Sequence, residues 1–281
     1  ILSKDRPNYL EAALRSALHQ IDNNVEIIVS DNSEKNDVEI MLATKFPGVK
    51  ILRRIPSLNV FEHYRTLINE ATADLIVFFH DDDILLPGYA NIMRNHMTLH
   101  PELSAAACNA KIINGNTITD NLVISCRQDK LQKKSSDLLS YYFALSTKGP
   151  APFPSYMYRR SCIQGLFMDP CQGGKYADVS FLLKVLECGP ILWLCSPHMC
   201  YRRHGNNDSA LSVVCHHLGL LRYVYGKTGL RMDSPLAYQY RYLFWVNWWL
   251  NVGRKSRVYP CRGKIVLKFI ITRTFSYAHT N

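Results

Sequence analysis

The 281 residues include 33 Lys or Arg against 23 Asp or Glu, a formal net charge of +10, and 47% of them are hydrophobic. That fits a globular chain long enough for one large domain or two smaller ones, and no uncharged apolar window of about 18 residues exists to cross a membrane. The charge excess is confined to the last 60 residues, where 11 basic side chains meet one acid, Asp233; such asymmetry implies an anionic partner, a membrane surface or nucleic acid.

Ile1-Leu2 reads as the end of a strand already under way, so chain upstream of Ile1 is expected. A loop follows from Ser3 to Arg6, with Pro7 at a first helical turn. A helix runs from Asn8 to His19 with Leu10, Leu14, Ala17 and Leu18 on one face. Val25 to Val29 is a second strand ending at Ser30-Asp31-Asn32-Ser33, Asn36 to Lys45 a helix, Val49 to Leu52 a short strand and Phe61 to Ala71 a third helix. Strands alternating with helices predict a mostly parallel sheet with right-handed crossovers. Ser3, Asp31, Arg53, Arg54 and Asp81 to Asp83 then converge at the strand ends.

The next stretch, ADLIVFFHDDDILLPGY from Ala73 to Tyr89, organises the chain. Leu75 to Phe79 is an apolar run of strand length that delivers His80, Asp81, Asp82 and Asp83 to its carboxyl end before Pro87-Gly88 turns the chain away. Three adjacent carboxylates repel one another and are costly to desolvate, so they face water or a hard cation such as Mg²⁺ or Mn²⁺. The carboxyl ends of strands are where open α/β sheets bind ligands. The first glycine is Gly48, so neither GxGxxG nor GxxxxGK[ST] can follow the first strand. Dinucleotide oxidoreductases and P-loop phosphotransferases are thereby disfavoured. A carboxylate-held metal is another way to neutralise a diphosphate.

Farther along, Ser125 to Asp137 is polar and reads as a mobile loop over the site. Gly149 to Arg160 is Pro-punctuated and feeds an edge strand, with Tyr156 and Tyr158 on one face, either to stack on a sugar or to pack in the core. Val179, Phe181, Leu182, Leu183, Val185 and Leu186 predict a buried helix with Asp178 near its N-terminus. The nine cysteines form no CxxC pair, which favours free thiols in a reducing cytosol, and the spacing of Cys195, His198, Cys200 and His204 matches no common zinc module. Residues 222–281 form a basic, aromatic tail. In KIVLKFIITRTF, Lys264 and Lys268 oppose Ile265, Val266, Phe269 and Ile270, the pattern of a helix lying on an anionic membrane or at a subunit interface. No nucleic-acid-binding motif accompanies this charge, so nucleic acid is not an expected partner.

Taken together, the motifs resemble the family 2 glycosyltransferases, the inverting group with the GT-A fold. ILSKDRPNYLEAALRSALHQ resembles their first strand end and helix, VEIIVSDNSEKND their second strand and Asp loop, and LIVFFHDDDILLP their DxD strand. KYADVSFLLKVLECG is similar to their catalytic-base helix and YRRHGNNDS to a late Tyr-Arg-x-His-type loop. The resemblance spans Ile1 to Ser209. It implies an α/β GT-A domain over 1–221, with a nucleotide-sugar half at 1–110 and an acceptor half at 111–221.

By that resemblance, Ser3 and Asp31 contact base and ribose, and Arg54 and Asn59 approach ribose and diphosphate. Asp82 is the main metal ligand, Asp81 a ribose or metal contact, and Asp83 a further acid at the metal that fixes the loop. His204 is a diphosphate or metal contact, with Arg202 and Arg203 beside it. Asp178 is the general base, although the family more often has Glu where this chain has Ala177, and counting back from Pro87 puts His80 at the usual first acid. The implied activity is Mn²⁺- or Mg²⁺-dependent transfer from a nucleotide sugar, UDP-linked, to a lipid-linked saccharide in surface-polysaccharide assembly. The implied location is cytoplasmic, peripheral on the inner face of the membrane. A non-catalytic protein retaining the fold, or a nucleotidyltransferase on a similar sheet, are the alternatives.

Overall fold

The computed structural model describes residues 1–20, 25–143, 150–203, 214–231 and 233–248. The basic segment with Lys264 and Lys268 lies outside them. The chain begins with β1 (Leu2–Ser3), α1 (Pro7–Leu18), β2 (Ile28–Asp31), α2 (Asp37–Lys45), β3 (Lys50–Arg53), α3 (Val60–Glu70) and β4 (Leu75–Val77). Pro7 occupies the first turn of α1, where its missing N–H costs nothing, and Leu10, Ala13, Leu14 and Ala17 form the buried stripe. Leu10 and Leu14 pack with Val38, Leu42 and Phe46 of the next helix over Val29.

Strands β1, β2 and β3 pair in parallel, with Ser3 opposite Asp31 and Asp31 opposite Arg53. The expected row of polar strand ends is thus aligned across the sheet. The Leu2 N–H donates to the carbonyl of Phe79 at 2.9 Å, and Leu2 bridges His80 in parallel, which brings the acidic turn beside the first strand.

The second half continues with β5 (Ile84–Leu85), α4 (Tyr89–Leu99), β6 (Ala105–Asn114), β7 (Thr117–Leu122), β8 (Lys130–Gln132), α5 (Ser135–Phe143), β9 (Met157–Arg159), α6 (Arg160–Ile163), α7 (Ala177–Cys188) and β10 (Ile191–Arg203). Here the parallel pattern gives way: β6 and β10 run parallel, but β4–β9, β6–β9, β6–β7, β10–β5 and β10–β8 are antiparallel. The result is a mixed α/β architecture, a sheet flanked by helices. Short side chains let β6 be covered on both faces. Ala105 and Ala107 join the core under α3, α5 and α7, while Ala106, Cys108 and Ala110 join Tyr89, Met93 and Met97 of α4. Gly189, after α7, is required by close approach, because a Cβ there would stand 2.3 Å from the Glu102 carbonyl oxygen.

Two expectations are corrected, and of the two roles left open for Tyr156 and Tyr158 the structure selects core packing. Lys130–Gln132 within the polar stretch is not a lid: it pairs with Ile191–Trp193, the end of β10 opposite Arg202. Tyr156 and Tyr158 are both buried and stacked on each other with centroids 5.6 Å apart, so neither ring face is open to a sugar. Cys126 and Cys195 are disulfide-bonded, while Cys108, Cys162, Cys171, Cys188 and Cys200 are free. Finally, α8 (Val214–Thr228) runs through position 221, and α9 (Pro235–Trp248) follows. Leu220, Leu221, Val224, Ala237 and Tyr240 all enter the main core, so the packed body reaches at least Tyr240. No helix among the described residues is long and apolar enough to cross a membrane.

Candidate active site

The acidic turn is three different environments. Asp81 is buried and turned to the β1 loop, where its Oδ2 accepts from Ser3 Oγ at 3.0 Å and from the Lys4 N–H at 3.2 Å. Burial raises the Asp81 carboxyl to about 6, with Arg6 opposing the shift. Asp82 is partly exposed and takes Arg6 Nη1 at 3.0 Å. Asp83 is 1% exposed; its Oδ1 accepts the Arg202 N–H at 2.9 Å, while its Oδ2 is buried with no hydrogen-bond partner. Burial raises the Asp83 carboxyl well above the usual range. The rest of Arg202 is spent on the turn itself: Nε donates to the Asp82 carbonyl at 2.9 Å and Nη1 to the Gly115 carbonyl.

His80 stands where the sequence lacks its expected acid, and its Nε2 lies 2.6 Å from Tyr64 Oη. Burial lowers the His80 imidazole below its ordinary value. One ligand atom each from His80, Asp82 and Asp83 lies within 4.8 Å of the others, and this is the group among the described residues able to hold a metal. Asp83 keeps a buried oxygen with no hydrogen-bond partner in a group that also offers a ring nitrogen and a second carboxylate, so the residues fit a divalent cation.

Asp178 occupies the first turn of α7, as expected, and its Oδ1 accepts the Val179 N–H at 2.9 Å. Burial raises its carboxyl to about 6, with the backbone N–H bonds opposing. Burial also raises the Tyr64 phenol, and Asp178, Asp82, Asp83 and Asp81 add to that shift. Tyr201 is pushed up to about 12 by burial and then by Asp83, Asp82 and Asp178. The charge of Asp178 and those of the acidic turn are therefore felt at the same two phenols, although Asp178 lies nearly a hundred residues downstream.

Other residues singled out from the sequence have partners of their own. Asp31 is fully buried, with Oδ2 on Arg53 Nη1 at 2.7 Å and Oδ1 accepting the Ser33 N–H at 3.0 Å. Arg54 is engaged by Ser30 and Glu70: Nε donates to Ser30 Oγ at 2.9 Å, and both terminal nitrogens engage the Glu70 carboxylate. Asn59 caps α3, its Oδ1 accepting from the Phe61 and Glu62 N–H groups at 3.0 Å. His204 lies outside the described residues. Arg6 and Tyr64 were not singled out from sequence. Arg6 carries a usable signal as a cation just after the first strand, but Tyr64 sits on the core face of a helix and reads as packing.

A family model for glycosyl transferase family 2 matches residues 1–154. An uncharacterised protein of Mycobacterium tuberculosis is 38% identical over 80 residues, a match spanning 28% of this chain and only 25% of that protein's length. Among solved structures, S. aureus TarS 1-349 in complex with UDP-GlcNAc superposes with a TM-score of 0.65 at 13% identity, over 92% of this chain and 75% of that one. The mannosyltransferase PcManGT of Pyrobaculum calidifontis, in complex with GDP-Man and Mn²⁺, gives a TM-score of 0.56 at 11% identity, over 98% and 79%. GalNAc-T7 with UDP, GalNAc and Mn²⁺ gives 0.58 at 14% identity, over 83% and 47%. At these identities the structural likeness speaks to the fold.

Proposed function

The chain belongs to glycosyl transferase family 2 and is a glycosyltransferase, and from that premise we propose a metal-dependent, inverting transfer of a sugar from a UDP-linked donor to a lipid-linked saccharide. The observation that carries the reading is the gathering of His80, Asp82 and Asp83 around one point, with the charge of Asp178 felt at the same two tyrosines, Tyr64 and Tyr201, as the charges of the acidic turn. Two of the neighbours described above hold UDP and two hold Mn²⁺, which supports the donor class and the cation.

In this reading Ser3 and Asp31, aligned across the sheet, receive the nucleotide's base and ribose, with Asp81 beside them through Ser3. Asp82, Asp83 and His80 hold a divalent cation, which when bound neutralises the diphosphate of the leaving nucleotide. Asp178 takes the acceptor hydroxyl's proton as that oxygen forms the bond to the anomeric carbon. With a carboxyl raised to about 6, it is ionised at neutral pH yet more basic than an exposed aspartate. Arg6 and Arg202 hold the acidic turn in shape. His204 keeps the role of a diphosphate or metal contact that the resemblance implies, and the basic tail brings the enzyme to an anionic membrane where a lipid-linked acceptor for surface polysaccharide resides.

The test is to incubate the protein with a panel of nucleotide sugars, Mn²⁺ and membrane lipid, and to measure nucleoside diphosphate release. Release that depends on one donor, on the cation and on acceptor lipid supports the reading. Turnover that persists in chelator removes the metal from it.

A further inference from the structure

We propose, resting on the metal-dependent reading above, that His80 is a nitrogen ligand of the cation, oriented by Tyr64, and that it biases the site toward Mn²⁺ over Mg²⁺. The position matters because counting back from Pro87 places an imidazole where a carboxylate is the ordinary residue. The chain has not simply lost a ligand there. A ring nitrogen of His80 and one oxygen each of Asp82 and Asp83 share a space 4.8 Å across. The buried Oδ2 of Asp83 has no other partner, and Asp81, the acid between, is drawn off to Ser3 and Lys4.

The ring is also held as a metal-binding histidine is held. Tyr64 Oη lies 2.6 Å from Nε2, which leaves Nδ1 as the nitrogen to meet the cation. A ligating histidine usually bonds an outer partner through its other nitrogen, and that partner fixes both tautomer and ring direction. Tyr64 is itself immobilised: its ring packs edge-on against Phe78 and Phe153, with centroids 5.8 and 6.0 Å away. Tyr64 is therefore a positioning residue that acts through His80.

The chemistry of the donor set gives the selectivity. Mg²⁺ prefers an octahedron of oxygens and keeps its waters, whereas Mn²⁺ binds more tightly than Mg²⁺ when imidazole joins carboxylates. Exchanging an oxygen for a nitrogen at one corner penalises Mg²⁺ most.

The experiment titrates Mn²⁺ into the metal-free full chain with UDP present, follows free Mn²⁺ by electron paramagnetic resonance, and records electron spin-echo modulation of the bound ion. The wild type is expected to show nitrogen modulation and to resist competition by Mg²⁺. His80→Asp is expected to bind Mn²⁺ with the nitrogen modulation lost and Mg²⁺ competing about ten-fold better; His80→Asn serves the same purpose if the added acid prevents folding. Tyr64→Phe, which removes one oxygen, keeps the nitrogen signal but weakens Mn²⁺ about ten-fold. Bound Mn²⁺ without nitrogen modulation in the wild type, or modulation that persists in the His80 variants, overturns the inference and leaves the metal-dependent reading standing. Absence of Mn²⁺ binding, with nucleoside diphosphate release continuing in chelator, overturns both.

Discussion

Asp31 and Asp178 are both carboxylates singled out from the sequence, yet the two halves of the chain treat them differently. Asp31, in the first half, is fully buried but answered by Arg53 and the Ser33 N–H. Asp178 is answered by the Val179 N–H, and burial is the largest influence on its carboxyl. The difference lies in the partner: a guanidinium answers one buried carboxylate and a backbone N–H the other, and at Asp178 burial outweighs that N–H.

Substitutions can break that contrast. The largest effect is expected from Asp82→Ala, which removes a proposed cation ligand: nucleoside diphosphate release falls by about three orders of magnitude while circular dichroism still reports a folded chain. Transfer near the wild-type rate would remove Asp82 from the chemistry.

Asp178→Asn should lower kcat about a hundred- to ten-thousand-fold, the range for a lost general base. The wild-type kcat/KM should rise with pH and level off above about 6, where the carboxyl is ionised. Stability moves the opposite way. Folding raises this carboxyl to about 6, so the folded state binds the extra proton. The stability this confers is present below about pH 4 and is lost as pH climbs through the folded value. Urea midpoints should therefore show Asp178→Asn more stable than wild type by about 3 kcal/mol at pH 7.5 and unchanged near pH 4. A flat stability difference across that window would mean that Asp178 is solvated as an ordinary surface acid.

Arg53→Met isolates the other side of the comparison. It leaves Asp31 buried without its counter-charge, and a loss of about 3 kcal/mol is expected at neutral pH. An unchanged urea midpoint would show that Asp31 does not depend on Arg53. The smallest effect is Asn59→Ala. As a helix cap it should cost about 1 kcal/mol and leave the KM for donor unchanged; a raised KM would return Asn59 to the nucleotide.

Legibility followed the range of the interactions. The first-half elements emerge within a residue or two of their expected ends, except that β2 starts three residues late at Ile28, because each carries its own apolar stripe, Pro7 at a helix start or a polar strand end. Even there, Arg54 could not be placed, since a strand-end arginine looks the same whether it meets a phosphate or Glu70 sixteen residues away. The second half was harder. The polar stretch after Ser125 contains β8, whose pairing with β10 bridges some sixty residues, and nothing local marks it as a strand.

The sequence by itself determined the alternation of strands and helices, the acidic turn at a strand end and Asp178 at a helix start, because these are written in short-range periodicity and residue chemistry. Only the tertiary structure decided which carboxylates are answered and which are not. Ser3 and Lys4 take Asp81, Arg202 takes one oxygen of Asp83, and His80, bonded to Tyr64, gathers with Asp82 and Asp83. Charge and desolvation depend on everything within a few ångströms, and those neighbours arrive from strands and helices far apart in the chain.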